Sequence, residues 1–164
     1  MKKIKITQNK YALVDDSDYE WLNQWKWQWK PTKRMRTGYV ERTQRVKGTK
    51  LKLHIKMHRL IIDAKKGQIV DHKNRDGLDN RRSNLRFCTL SQNNQNFPIP
   101  SNNKSGYKGV SLHKHSGLWR ANVVLNGKQY SLGYFEDIKQ AGLAYNNRAK
   151  ELFGEFARIN EILK

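Results

Sequence analysis

Residues 71–96, DHKNRDGLDNRRSNLRFCTLSQNNQN, constrain this chain more than any other stretch. Asp71-His72 closes a short apolar run, Gly67-Gln68-Ile69-Val70. Asn84 follows His72 by twelve residues and stands just before a second strand-like run, Leu85-Arg86-Phe87-Cys88. Thr89 and Ser91 are both suited to cap the start of a helix. Asn93 lies inside that helix, nine residues after Asn84. The order is strand, loop, strand, helix. Such a unit can fold back so that Asp71, His72, Asn84 and Asn93 meet at one point.

These residue types suit one kind of chemistry. Hydrolysis of a phosphodiester needs an attacking water, a base with a pKa near 7, and a cation for the charge that develops on the phosphate. Histidine has the unperturbed pKa of such a base. Asp71 and Asn93 offer oxygens, which suit Mg²⁺ or Mn²⁺ rather than zinc. Two protein ligands leave room for water and a substrate phosphate. An Asp-His pair alone mostly marks a turn. Here it stands with Asn84, Asn93 and the run NRRSNLR at matching spacings. Asp71, Asp76 and Asp79 do not make a calcium loop, because the alternating ligands and the closing Glu of an EF-hand are missing.

The stretch resembles the HNH endonucleases, in the subgroup found in phage homing endonucleases, over roughly residues 57–97. That family folds as two strands and a helix clamping one divalent metal. Carried across position by position, the resemblance implies that Asp71 and Asn93 are metal ligands. It implies His72 as the general base, and Asn84 as the residue that holds the loop and the His in place. Asn93 stands where the family name has its final H. Arg81, Arg82 and Arg86 are expected to contact phosphates near the scissile bond, or else to pair with Asp76 and Asp79. His54 and His58 are rival histidines. His58 lies in Met57-His58-Arg59-Leu60-Ile61, which matches a scaffold segment of the resembled family.

Charge agrees with a polyanionic partner. The chain of 164 residues carries 33 Lys and Arg against 14 Asp and Glu, a net charge of +19. Nucleic acid is the usual partner of such a balance. No run of about 18 apolar residues is present to span a bilayer. No secretory signal opens the sequence. Cys88 is the single cysteine, so an internal disulfide and a Cys-rich zinc site are excluded. These features point to the cytoplasm of a bacterial host or phage-infected cell.

Ahead of the site the chain reads as a β-rich scaffold. Residues 4–14 suggest one or two short strands turning at Gln8-Asn9. Asp15 to Asp18 precede a short helix with carboxylates in its first turn. Trp25, Trp27 and Trp29 alternate with polar residues, which suggests a strand with three core indoles on one face and Pro31 at its end. Residues 39–42 and 50–56 read as further strands. In the second of these, Leu51, Leu53 and Ile55 face one way and the lysines the other. Residues 26–60 hold twelve Lys or Arg against one acid, Glu41, and the cations are expected to lie along phosphates.

Residues 97–105, FPIPSNNKS, read as an extended linker. Three strands follow, at 107–113, 119–125 and 128–135, with Asn126-Gly127 as a type I′ hairpin signal. A helix then runs from 136 or 137 to about 153, with Gly154 as its cap. This part resembles the APETALA/ethylene-response-factor DNA-binding domain over about residues 105–160. The markers are Lys108-Gly109-Val110, Leu132-Gly133-Tyr134-Phe135, Ala144-Tyr145, and Gly154 with Ala157 and Asn160. The resemblance implies a sheet in the major groove with a helix behind it. Its groove-facing positions fall on Lys108, Gly109, Ser111, His113, Asn122, Val124, Gln129 and Ser131, with Tyr145 touching phosphate. Several family arginines and a tryptophan are missing, so the plant target sequence does not transfer. Arg120, Lys114 and Lys128 are available as replacement charge.

The expectation is therefore an α+β protein with three parts. Residues 1–97 form a β-rich scaffold with a ββα-metal nuclease motif, residues 98–105 a linker, and residues 106–164 a three-stranded antiparallel sheet backed by one helix. The expected function is metal-dependent, site-specific cleavage of double-stranded DNA, with no obligate protein partner. The rival is a sequence-specific DNA-binding protein or regulator with an idle nuclease site.

Overall fold

A computed structural model describes residues 1–32, 38–100 and 102–162. It is a mixed α/β structure of several small antiparallel sheets and few helices. The chain divides into two compact units, Met1–Thr89 and Leu90–Lys164.

In the first unit, strands β1 (Lys2–Lys5) and β2 (Tyr11–Val14) pair antiparallel. Gln8 and Asn9 turn the hairpin with φ of 61° and 52°, a region that Asn tolerates better than most residues. Helix α1 (Asp16–Asn23) follows, with Asp16 and Asp18 in its first turn. Strands β3 (Gln28–Pro31), β4 (Gly38–Arg45) and β5 (Lys52–Lys56) form a second sheet in the order β3-β4-β5. Helix α2 (Met57–Ile61) leads to a two-stranded sheet of β6 (Ile69–His72) and β7 (Leu85–Cys88). The core of this unit is Ile4, Ile6, Ala12, Val14, Leu22, Trp27, Val40, Met57, Ile61, Val70 and Leu85.

Two expectations for this unit need correction. The tryptophans do not share one strand. β3 begins only at Gln28, so Trp25 and Trp27 precede it, and their rings meet edge to face 6.2 Å apart. All three indoles still serve the core, Trp27 inside it and Trp25 and Trp29 against it. The second correction concerns β5. Its alternation is present, but Leu51 and Leu53 remain 64% and 51% exposed. β5 is the edge of its sheet, so period two does not bring burial with it there. Among the scaffold cations, Arg42 lies over the Trp25 ring at 4.4 Å and Lys56 over Tyr39 at 4.8 Å. Lys33, Arg34 and Arg36 lie outside the described residues.

The second unit opens with helix α3 (Leu90–Asn96). Strands β8 (Val110–His113), β9 (Leu118–Leu125) and β10 (Lys128–Phe135) form one antiparallel sheet in the order β10-β9-β8. Helix α4 (Ile138–Phe153) backs it, placing Tyr145, Ala149 and Phe153 against Val123, and Ala141 against Val110 and Ala121. Asp137 caps α4 by accepting from Lys139 N, and Gly154 ends it with φ of 50°. The segment expected as an extended linker is partly closed into a loop. Asn103 Oδ1 accepts from Gly106 N, and Ser105 Oγ donates to Val110 O.

Candidate active site

The site is built on the end of β6 and the loop that follows. Asp71 and His72 are adjacent on β6, and both are buried, at 7% and 5% exposure. Backbone pairing of Asp71 with Arg86 and of His72 with Leu85 fixes the strand end. Lys73 N then donates to Asn84 O, which closes the loop over residues 73–84 at its base.

Asn84 holds the loop through its side chain. Oδ1 accepts from Asn74 N at 3.0 Å, while Nδ2 donates to Asn74 Oδ1 at 2.9 Å and to Asp79 O at 2.7 Å. Both ends of the amide are thereby used inside the loop, the arrangement expected of a loop-holding residue. Asp79 accepts from Asn74 Nδ2 and, bidentately, from Arg81. The Arg81 guanidinium keeps the Asp79 carboxyl below the usual carboxylate range.

The N-terminal hairpin grips the same loop from outside. Leu13 N donates to Leu78 O and Asn80 N to Leu13 O, both at 2.8 Å. Arg82 reaches α1, donating from Nε and Nη2 to the two oxygens of Asp18. Its backbone N–H donates to Asp15 Oδ2. Asp18 is only 2% exposed, so removing the Arg82 charge would leave the Asp18 carboxylate poorly compensated.

His72 sits in an aromatic corner. The His58 ring meets it edge to face at 4.9 Å, and Tyr39 lies 6.1 Å away. Burial lowers the pKa of His72, with the hydrogen bond to Asn80 and the nearby Asp71 acting in the opposite direction. Burial lowers the pKa of His58 to about 2, so it stays neutral. His54 is elsewhere, with Nδ1 3.2 Å from Glu41 Oε1.

The three arginines are all engaged with carboxylates, Arg81 with Asp79 as the sequence allowed, the other two with carboxylates that the sequence did not name. Arg81 pairs with Asp79, Arg82 with Asp18, and Arg86 with Asp71. Arg86 Nε and Nη2 both donate to Asp71 Oδ2, at 3.0 and 2.8 Å. Asp76 instead accepts from Leu78 N. Asn93 belongs to α3, in the second compact unit. The structure thus brings Asp71, His72 and Asn84 together in one unit and describes Asn93 in the other. Among the described residues, no group of three His, Cys, Asp or Glu forms a metal cluster.

Sequence reasoning missed Asn80. It is fully buried, and its Oδ1 lies 3.4 Å from His72 Nε2. The loop holds several Asn residues of equal appeal, and no local pattern singles this one out. Asp18 was missed for a similar reason, since its partner Arg82 is 64 residues away.

A family model described as HNH endonuclease matches residues 56–95, which include β6, its loop, β7 and most of α3. Residues of the chain are 34% identical over 94 positions to Protein 3.8 of Escherichia phage T7, covering 57% of this chain and 77% of that protein. This chain belongs to the HNH endonuclease family. Another relative is an uncharacterised HNH endonuclease of Acanthamoeba polyphaga mimivirus, 38% identical over 115 residues. That match covers 69% of this chain, and the chain spans 59% of the length of that relative. An AP2-like ethylene-responsive transcription factor of Arabidopsis thaliana is 33% identical over 64 residues, covering 39% of this chain and 13% of that protein. No solved structure matches at the same stringency.

Outside the HNH match, the sheet of the second unit sorts its residues by face. Val110, Ala121 and Val123 are buried toward α4. Ser111 pairs with Arg120, Ser131 with Asn122 and Gln129 with Val124, which sets these six on the opposite face. His113 stacks edge to face with Tyr134 at 5.1 Å. Tyr145 is in the core at 3% exposure, and burial raises its pKa to about 12. Gly109, at φ 75°, lies so close to it that a Cβ there would run into the Tyr145 ring. Lys108 turns inward as well, its Nζ donating to the carbonyls of Gln95 and Phe97 near the end of α3. Among the described residues, no helix is long and apolar enough to cross a membrane.

Proposed function

We propose that this HNH protein is a metal-dependent, site-specific DNA endonuclease of the homing type. The observation that carries the reading is the over-determined placement of Asp71-His72. A carboxylate and an imidazole stand side by side at a strand end, above a loop locked by Asn84 at both ends of its amide. Burial lowers the pKa of His72, which favours the neutral form that a general base needs. It takes the proton from water as the water oxygen bonds to phosphorus, and the P–O bond to the leaving oxygen breaks.

Asp71 and Asn93 would hold the metal, Mg²⁺ or Mn²⁺. The donor chemistry fits: a carboxylate and an amide oxygen are hard ligands. Arg86 Nε and Nη2 take two of the roughly four lone-pair sites that a carboxylate offers. When bound, the cation supplies charge stabilisation to the phosphate and the leaving oxygen. The role of Asn93 rests on the family motif.

Double-stranded DNA is the proposed substrate, in keeping with the net charge of +19. Sequence reading is assigned to the face of Ser111, Arg120, Asn122, Gln129 and Ser131, with His113 at its end. Side chains on such a face can reach base edges in a major groove. Arg81, Arg82 and Arg86 brace carboxylates, and phosphate contact by them is a secondary role.

The rival reading, a DNA-binding regulator with an idle nuclease site, draws on one observation: the Arg86–Asp71 pair, 9% and 8% exposed, ties up the carboxylate meant for metal. One experiment separates the two. A pool of randomised duplexes is incubated with the full chain in Mg²⁺, in Mn²⁺ and in EDTA, and the products are sequenced. Cleavage at a recurrent sequence in metal, and none in EDTA, is the expected result. Selective binding without cleavage in either metal would establish the rival.

A further inference from the structure

A neutral imidazole has one protonated nitrogen and one lone pair, so only one ring nitrogen of His72 can accept a proton. Asn80 decides which. Its Nδ2 donates to Gly77 O and Leu78 O, each at 3.2 Å. The reversed amide would face its oxygen toward two carbonyl oxygens and offer a donor to neither, in a place with no access to water. Oδ1 is therefore fixed on the His72 side, 3.4 Å from Nε2. An amide oxygen only accepts. With the lone pair on Nε2, two acceptors would face each other in a buried site. With a proton on Nε2, the contact is attractive, and the lone pair falls on Nδ1. At 3.4 Å the bond is longer than usual, so it acts by excluding one tautomer more than by strength.

Asn80 is itself held. Its backbone N–H donates to Leu13 O of β2, and Leu13 N donates to Leu78 O on the same loop. A continuous chain of hydrogen bonds runs from the N-terminal hairpin through residues 78–80 to the imidazole. The His58 ring at 4.9 Å restricts rotation of that imidazole.

We propose that Asn80 is a positioning residue that fixes His72 as the Nε2–H tautomer and so makes Nδ1 the proton acceptor. The catalytic consequence rests on the nuclease reading above; the tautomer does not.

The test is a two-bond ¹H–¹⁵N spectrum of metal-free protein with ¹⁵N-labelled histidine. The five histidines are few enough to resolve, and His72→Ala identifies the His72 signals by their loss. The expected spectrum shows protonated Nε2 and lone-pair Nδ1 at His72. Asn80→Asp, which keeps an acceptor, should retain this pattern. Asn80→Leu, of similar size and without one, should populate the Nδ1–H form. With duplex DNA and Mg²⁺, the Leu variant should lose roughly tenfold or more in kcat, with KM changed much less, and the Asp variant should recover most of the loss. An Nδ1–H form in the parent protein overturns the proposal, as does a Leu variant with parental kcat. Should the Leu variant fail to fold, the parent and Asp spectra decide alone. An Nε2–H spectrum in a protein that cleaves no DNA would sink the nuclease reading and leave the role of Asn80 standing.

Discussion

In the first unit, Asp18, Asp71, His72, Asp79, Asn80 and Asn84 are all buried, and each touches another polar group. In the second unit, Ser111, Gln129 and Ser131 stand exposed on a sheet whose other face is apolar. A buried network fixes the position of each member, because each unmet bond is costly there. An exposed face fixes little and can adapt to what it meets. The first arrangement suits chemistry at one atom. The second suits recognition spread over several.

The sharpest break in this comparison is His72→Ala. If the first unit does the chemistry, cleavage should fall by roughly 10²- to 10⁴-fold while duplex binding is kept. Paired measurements of single-turnover cleavage and binding by titration test this. Cleavage within threefold of the parent would move the base to another group. A loss of binding as large as the loss of rate would show that the two functions are not divided as described.

Asn84→Ala comes next. It deletes three hydrogen bonds and leaves Asn74 and Asp79 O without their partner. Destabilisation by about 1–3 kcal/mol is expected, chiefly from the buried Asp79 O left unsatisfied. Gln129→Ala, on the open sheet face, should change stability by less than about 0.5 kcal/mol. It should instead relax discrimination at one base pair. Denaturant melts of both variants give the contrast directly; equal effects would remove it.

Why some of this was legible and some was not follows from range. The motif residues Asp71, His72 and Asn84 are close in sequence, and their spacing already implied a loop closed on itself. The hairpin at Asn126-Gly127 and the cap at Asp137 are local signals, and both occur where the sequence put them. Asp18 with Arg82 and Leu13 with Asn80 are long-range pairings that no spacing announces. Burial was the other weak point. Alternation in β5 named the apolar face correctly, but nothing in the chain told whether that face would be covered.

A third prediction uses acid. Burial holds His58 neutral with a pKa of about 2, against an ordinary value of 6.5. A depressed histidine contributes stability that is full above pH 6.5 and is lost as pH falls below it, because the unfolded chain then binds a proton that the folded chain refuses. At pH 4.5 the loss should be about 2–3 kcal/mol, two pH units at roughly 1.4 kcal/mol each. His58→Gln should flatten this part of the profile. A parent protein whose melting is independent of pH between 6.5 and 4.5 would contradict the buried, neutral His58. All of this belongs to the first unit; the open sheet face should contribute little to it.

The smallest effect sharpens the comparison most, because Lys108 lies on the boundary between its two kinds of residue. The family resemblance puts Lys108 at the DNA. Here its Nζ donates to Gln95 O at 2.5 Å and Phe97 O at 3.2 Å, at the C-terminal end of α3. A cation there meets unpaired carbonyls and the negative end of the helix dipole, worth about 1 kcal/mol. Its backbone is also held, with Lys108 N donating to Asn160 Oδ1 and Asn160 Nδ2 to Lys108 O. Lys108→Met keeps the length of the side chain and removes only the charge. If Lys108 caps α3, this variant should fray the seven-residue helix, seen as faster amide exchange over residues 90–96. The salt dependence of DNA binding should be unchanged. If Lys108 contacts a phosphate, the log–log salt slope should drop by about 0.9 and exchange in α3 should not move. The contrast matters beyond one residue, because α3 carries Asn93. A helix that depends on Lys108 for its end depends on residues beyond Pro100 for its order. Ending the chain after Pro100 would then disturb the segment bearing the proposed second metal ligand, as well as removing the sheet proposed to read DNA.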